Sequence, residues 1–212
     1  MTNIREKANK VIDILSREYP NTNSELNFST PFEMLVATVL SAQSTDRQVN
    51  KITKKLFKKY KKPEDFVKRP IKEIEKDIYS SGFYKAKARY LKECSKLLLN
   101  KHKGKVPKTL KELVECPGIG RKTANVILVH AFNKVEGIAV DTHVKRLSQR
   151  IGLTKNNSPY KIERDLMKII NREKWGKVNI LLVLHGRRVC SARKPKCKSC
   201  KISHLCESAF SF

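Results

Sequence analysis

The sequence predicts an all-α fold, and three observations carry that reading. Apolar residues recur at helical spacing along nearly the whole chain, strand-like alternation is almost absent, and the helical stretches are parted by Pro, Gly or Lys-rich turns. The stripe Ile4, Ala8, Val11, Ile12, Leu15 and Tyr19 makes an amphipathic first helix that stops at Pro20. Residues 21–29 are polar and turn-rich. Thr30-Pro31-Phe32-Glu33 then combines an N-cap, a proline at the first helical position and a capping-box glutamate, so a helix begins there. Its residues Met34, Leu35, Val36, Val39 and Leu40 are apolar on nearly every side, which marks it as the buried centre of a helical domain.

Further helical stripes follow at Val49, Ile52, Leu56 and Tyr60; at Ile71, Ile74 and Ile78; at Ala88, Leu91, Cys94 and Leu98; and at Leu110, Leu113 and Val114. Two more helices are expected over about 120–133 and 142–151, and Ser158-Pro159 opens one carrying Ile162, Leu166, Ile169 and Ile170. The run Ile180–Leu184 fits a buried strand or a buried helix by itself; its helical surroundings favour helix.

Charge indicates the class of partner. Among 212 residues, 46 Lys and Arg stand against 20 Asp and Glu, a formal net charge of +26. Such an excess calls for a polyanion, and nucleic acid is the best fit. With 40% apolar residues the chain can build real cores, as one large domain or as two lobes, which excludes a wholly disordered tail protein. No apolar run approaches the roughly 18 residues of a membrane span, and the N-terminus lacks the apolar stretch of a secretory signal. A soluble protein of the cytoplasm or nucleoid, without a membrane partner, is expected.

The most informative stretch runs from Leu113 to Val126 and reads as helix, a sharp Pro117-Gly118-Ile119-Gly120 turn, and a second helix opening at Arg121-Lys122-Thr123. Gly118 and Gly120 let the backbone bend tightly and approach another molecule, while the helix start presents N–H groups and a partial positive charge. That combination cradles a phosphate; an ordinary helix–helix turn is the plain alternative. Cysteine supplies the second signal. Cys190, Cys197, Cys200 and Cys206 have the spacing C-x6-C-x2-C-x5-C. Four thiolates on short loops suit a tetrahedral zinc or a cubane iron–sulfur cluster, with a disulfide pair as a weaker third option, and spacing alone does not choose between the first two. Cys94 and Cys116 fall on apolar helix faces and read as buried structural thiols.

Together these motifs resemble the endonuclease III family of DNA glycosylases. The resemblance runs in order through Leu40-Ser41-Ala42-Gln43-Ser44-Thr45-Asp46, Ser81-Gly82-Phe83-Tyr84-Lys85-Ala86-Lys87-Ala88, the hairpin, Val140-Asp141-Thr142-His143-Val144-Lys145-Arg146 and the cysteines. It implies a two-lobed helix-hairpin-helix glycosylase fold with a C-terminal [4Fe-4S] cluster loop: residues 24–134 as a helical-barrel lobe, and residues 1–23 with 135–212 as the cluster lobe. Lys122 matches the family's nucleophile. A free lysine amine, with a pKa of about 10.4, is mostly protonated at neutral pH. The first turn of a helix, among basic neighbours, disfavours that ammonium form.

Asp141 matches the carboxylate that assists base departure and proton transfer, and it also stands where an N-cap would. Gln43 matches a side chain that fills the gap left by a flipped base, and Phe83 stands where the family often has leucine, probing the opposite strand. A core aromatic beside Ile78 is the other reading of Phe83. Asp46 begins the next helix and is either its cap or a residue near the damaged base. Gly118, Gly120, Arg121 and Thr123 of the hairpin are expected against phosphate, His143 near the active site, and Arg193, Lys194 and Lys196 on DNA from the cysteine loops.

The resemblance implies a bifunctional glycosylase and abasic-site lyase of base excision repair. It would act as a monomer on duplex DNA carrying oxidised pyrimidines or abasic sites. The alternatives are a mismatch glycosylase removing uracil or thymine opposite guanine, relatives of which commonly lack the hairpin lysine, and a non-catalytic helix-hairpin-helix DNA-binding module.

Overall fold

In the computed structural model of the chain, which describes residues 3–22 and 24–211, every regular element is helical; no strand occurs among the described residues. In chain order the helices are α1 (Ile4–Glu18), α2 (Pro31–Leu40), α3 (Asp46–Lys59), α4 (Pro63–Lys68), α5 (Ile71–Asp77), α6 (Tyr84–His102), α7 (Leu110–Leu113), α8 (Arg121–Phe132), α9 (Thr142–Ile151), α10 (Pro159–Ile169) and α11 (Trp175–Arg188). Single 3-10 turns lie at Tyr79–Ser81, Arg172–Lys174, Cys197–Ser199 and Ser203–Leu205. None of the described helices is long and apolar enough to cross a membrane. The chain forms two compact units, Asn23–Glu136 and Met1–Thr22 with Gly137–Phe212.

The Asn23–Glu136 unit is built around α2. Thr30 Oγ1 accepts from the Glu33 N–H at 3.1 Å, Glu33 Oε2 accepts from the Ser29 N–H at 2.6 Å, and Pro31 starts the helix. Every residue of α2 except Pro31 and Glu33 is buried, against α3, α6 and α8. Full burial of an aliphatic side chain is worth about 1.5–3 kcal/mol, so this all-round apolar helix contributes strongly to the cohesion of its unit. The helix α6 packs on α4 and α5, and Tyr60, fully buried, donates its hydroxyl to Asp77 Oδ2 at 2.7 Å.

Three details depart from the sequence reading. The helix α4 was not anticipated: at six residues it is too short to show periodicity, and it is stabilised by buried Pro63 and Phe66 and by Asp65, whose carboxylate accepts from the Lys61 and Lys62 N–H groups. The stripe at Leu110, Leu113 and Val114 yields one helical turn, and Val114, past its end, is 43% exposed. Thr45, not Asp46, caps α3, with its Oγ1 accepting from the Gln48 N–H.

In the other unit α1 packs on α10 and α11, and α9 packs on both of those helices as well. The buried face of α1, Ala8, Val11, Ile12 and Leu15, is the apolar stripe read from the sequence. Ile180–Leu184 lies within α11, as its context predicted. Polar ties join the N-terminal helix to the distant C-terminal segment: Lys7 pairs with Glu207 at 2.9 Å, Lys174 with Asp13 at 2.7 Å, and Asn9 Nδ2 donates to Ile169 O at 3.0 Å.

Candidate functional site

The hairpin joins α7 to α8 through Val114–Gly120. Within it the Cys116 N–H donates to Leu113 O at 3.1 Å and the Ile119 N–H to Cys116 O at 3.0 Å, and Ile119 is buried as an anchor for the tip. The two glycines serve different ends. Gly118 has φ +83°, and a Cβ there would lie 2.8 Å from two carbons of Tyr90, so both conformation and packing require glycine. Gly120 caps α8 without a side chain, and a Cβ on it would meet nothing. Ala124 N–H closes the first bond of the helix, onto Gly120 O at 2.9 Å. The N–H groups of the first helical turn precede that bond and stand at the helix end, beside the open space over Gly120. Arg121 and Lys122 are exposed in that first turn and Thr123 is half-buried.

Gln43 and Phe83 sit on two other loops of the same unit. Both have left-handed backbones, φ +53° and +48° respectively, a conformation that costs an L-residue other than glycine about 1–2 kcal/mol. Both side chains are exposed, Phe83 at 66%, so Phe83 is not the core aromatic that the sequence also allowed. Behind the two tips lies a residue whose part the sequence reading missed. Lys87 is 3% exposed, and its Nζ donates to Leu40 O at 2.8 Å, Ser81 O at 2.7 Å and Ser44 Oγ at 3.3 Å. Burial lowers its pKa below the usual lysine range, while the three oxygens match the three N–H donors of an ammonium. A signal was present: a lysine on the same helical face as Leu91, Cys94 and Leu98.

In the other unit Asp141 caps α9, its Oδ1 accepting from the His143 N–H at 2.8 Å and the Val144 N–H at 2.9 Å. The cap fixes where the carboxylate stands. His143 packs against Gly186 of α11, where a Cβ would come 2.5 Å from the His143 Nδ1; only glycine lets the two helices meet so closely. Arg146 Nη2 lies 3.2 Å from that nitrogen, and since an arginine can only donate, Nδ1 accepts. Burial lowers the pKa of His143, opposed by the charge of Asp141 and reinforced by Arg146 and Arg187.

The four clustered cysteines line one cavity with Leu147, Arg150, Ile151 and His185. Cys190 follows α11, Cys197 opens a 3-10 turn, and Cys200 and Cys206 each end one. Arg150 Nη1 approaches Cys190 Sγ at 3.3 Å and donates to Ser191 O at 2.8 Å, while Arg146 Nη2 donates to Cys190 O at 3.0 Å. Two arginines of α9 thus hold the start of the cysteine loop, a link the spacing did not reveal. His185, its pKa pushed down to about 4 by burial, bridges Tyr19 Oη at 3.1 Å and Cys200 Sγ at 3.4 Å. Burial raises the thiols of Cys200 and Cys206, so thiolates there need compensating cationic charge. Arg193, Lys194, Lys196 and Lys198 are exposed on these loops. Cys94 and Cys116 are buried, and their thiols lie within hydrogen-bonding reach of each other, raising that of Cys94.

Comparison with known proteins identifies the family. The family model for HhH-GPD superfamily base excision DNA repair proteins matches residues 36–172. The endonuclease III of Synechocystis sp. is 46% identical over 209 residues, 99% of this chain and 95% of that protein. Among solved structures, a trapped covalent intermediate of an endonuclease III with DNA, an estranged-adenine complex, is 42% identical and superposes with a TM-score of 0.92 over 99% of this chain and 98% of that one. A thermostable thymine-DNA glycosylase is 27% identical, with a TM-score of 0.87 over 98% of both chains. The chain belongs to the endonuclease III family of HhH-GPD base excision DNA repair proteins.

Proposed function

We propose that the chain is a bifunctional DNA glycosylase and abasic-site lyase that removes oxidised pyrimidines from duplex DNA through a Schiff base on Lys122. The observation that carries this reading is the exposed Lys122 in the first turn of α8, beside a glycine cap open to solvent. The trapped covalent DNA intermediate of a relative 42% identical supports it. The first-turn N–H groups, with Gly118, Gly120, Arg121 and Thr123, hold backbone phosphates and bring Lys122 to the sugar. The neutral Nζ bonds to C1′ of the everted nucleotide, and the C1′–N bond breaks with its electron pair leaving on the base. The capped carboxylate of Asp141 stabilises positive charge at the sugar and carries protons for base departure and ring opening. Loss of a C2′ proton then expels the 3′ phosphate, which nicks the strand, and water frees Lys122.

Gln43 and Phe83 fill the gap left by the everted base. His143 supports the Asp141 end of α9, and Arg193, Lys194 and Lys196 meet phosphates. The enzyme acts as a monomer, in the cytoplasm or nucleoid.

Cys190, Cys197, Cys200 and Cys206 fit a [4Fe-4S] cluster. Four thiols on short loops line one cavity, the donor set that a cubane cluster takes. When bound, the cluster supplies iron–thiolate bonds that cross-link residues 190–206 and compensate the buried thiolates.

Borohydride trapping tests the mechanism. Duplexes carrying thymine glycol, uracil opposite guanine, or only undamaged pyrimidines are compared between wild type and Lys122→Gln. A covalent complex on thymine glycol that vanishes in the variant is expected. A complex confined to uracil opposite guanine would replace the substrate assignment, and none on any duplex, with DNA binding intact, would overturn the Schiff-base mechanism.

A further inference from the structure

The loops carrying Gln43 and Phe83 are separated by forty residues of sequence, yet a buried side chain bonds to both of them. Leu40 O is a terminal carbonyl of α2, just ahead of Gln43, and Ser81 O ends the 3-10 turn just ahead of Phe83. Lys87 Nζ bonds both carbonyls, and its third bond goes to Ser44 Oγ, which itself donates to Ser81 O. Gln48 Nε2 adds a further tie to Ser80 O at 3.3 Å. Each loop tip is exposed and left-handed, whereas Lys87 and Ser81 beneath are 3% and 1% exposed. Strained tips keep a defined conformation only where surrounding structure over-determines them, and here that structure is one ammonium shared between the two loops.

We propose that Lys87 is a positioning residue, clasping the two loops so that Gln43 and Phe83 present a preset pair of side chains to the gap left by an everted base. The idea rests on the reading of those two residues as gap-filling. Lys87 is not itself a nucleophile or a phosphate contact: it is buried, and its donors are spent on protein oxygens. Its effect reaches DNA only through the tips. Removing the ammonium takes from Leu40 O and Ser81 O the donor they share, leaves the Ser44 hydroxyl and Gln48 as the remaining ties, and loosens the fixed relation between the two tips.

The test uses full-length holoprotein with Lys87→Met, of similar length but without donors, and with Ser44→Ala, a milder loosening that keeps the lysine. Amide hydrogen exchange in the free protein is measured across 41–45 and 81–84. Single-turnover excision from a thymine glycol duplex is measured in the native background and in Gln43→Ala. Expected are faster exchange in both segments for Lys87→Met, a smaller change for Ser44→Ala, and a loss of excision of about 10–100-fold, the scale of a small misplacement at a reacting centre. In the Gln43→Ala background the same substitution is expected to cost a smaller factor, because one of the two side chains that the clasp presents is already gone. Equal losses in both backgrounds, or unchanged exchange at either loop, overturn the proposal. If Gln43→Ala and Phe83→Ala each excise like wild type, the gap-filling reading and the functional part of this proposal fall together; that outcome is recognisable because the exchange change at the loops would persist. Should Lys87→Met fail to fold, Ser44→Ala decides by the same two readouts.

Discussion

Replacing Asp141 by Asn and by Ala separates the two tasks assigned to this carboxylate. Its Oδ1 accepts two backbone N–H groups at the start of α9, at 2.8 and 2.9 Å. Alanine removes both acceptor bonds, and loss of an N-cap side chain costs about 0.5–2 kcal/mol. With two bonds removed, the upper half of that range is expected, about 1–2 kcal/mol, which for a chain of this size lowers the unfolding midpoint by about 2–8 °C. Asparagine keeps an oxygen at Oδ1 and the cap with it, and loses only the favourable charge at the helix N-terminus, about 0.3–1 kcal/mol. Both variants lose the carboxylate that carries protons at the sugar, a loss of about 100- to 10,000-fold in rate. The assay pairs thermal unfolding by circular dichroism with single-turnover excision well below both midpoints. Asp141→Asn is expected to be nearly as stable as wild type yet almost inactive, and Asp141→Ala to be both unstable and inactive. If Asp141→Asn excises at close to the wild-type rate, the carboxylate is a cap and nothing more, and the catalytic reasoning is refuted.

Gly118→Ala forces a Cβ to within 2.8 Å of the Tyr90 side chain at φ +83° and is expected to destabilise the hairpin unit, whereas Gly120→Ala, whose Cβ meets nothing, is expected to leave the unfolding midpoint within about 2 °C and to weaken DNA binding; the reverse ranking in calorimetry and fluorescence anisotropy would contradict the division of labour between the two glycines. Cys200→Ala is expected to lower the iron content of purified protein from four atoms per chain and to loosen residues 190–206 toward protease; an unchanged iron count would exclude that cysteine as a ligand. Changing Arg193, Lys194 and Lys196 to Ala together is expected to reduce the slope of log affinity against log salt by up to about 0.9 for each phosphate that is no longer neutralised. An unaltered slope would show that these exposed charges do not reach DNA.

Much of this protein is written locally. The start of α2 follows from Thr30, Pro31 and Glu33, within one helical turn of one another, and the buried face of α1 follows from a stripe that repeats every three or four residues. The hairpin is legible because a glycine such as Gly118 marks a backbone conformation other residues avoid, and the cysteine site because its four thiols lie within one short segment. Capping, periodicity and ligand spacing are short-range relations that survive in a linear string. What only the tertiary structure decided depends on neighbours from far along the chain. Phe83 reads equally as core or surface until its loop is placed, and it is exposed. Lys87 shows in the sequence only as a lysine on an apolar helix face, and its part becomes visible once Leu40, Ser44 and Ser81 are folded around its ammonium. Arg146 and Arg150 became supports of the cysteine loop only once α9 was laid beside α11, where the close approach is one that glycine at 186 alone permits. A buried charge must find its partners wherever the fold brings oxygens together, and sequence separation carries no record of that meeting.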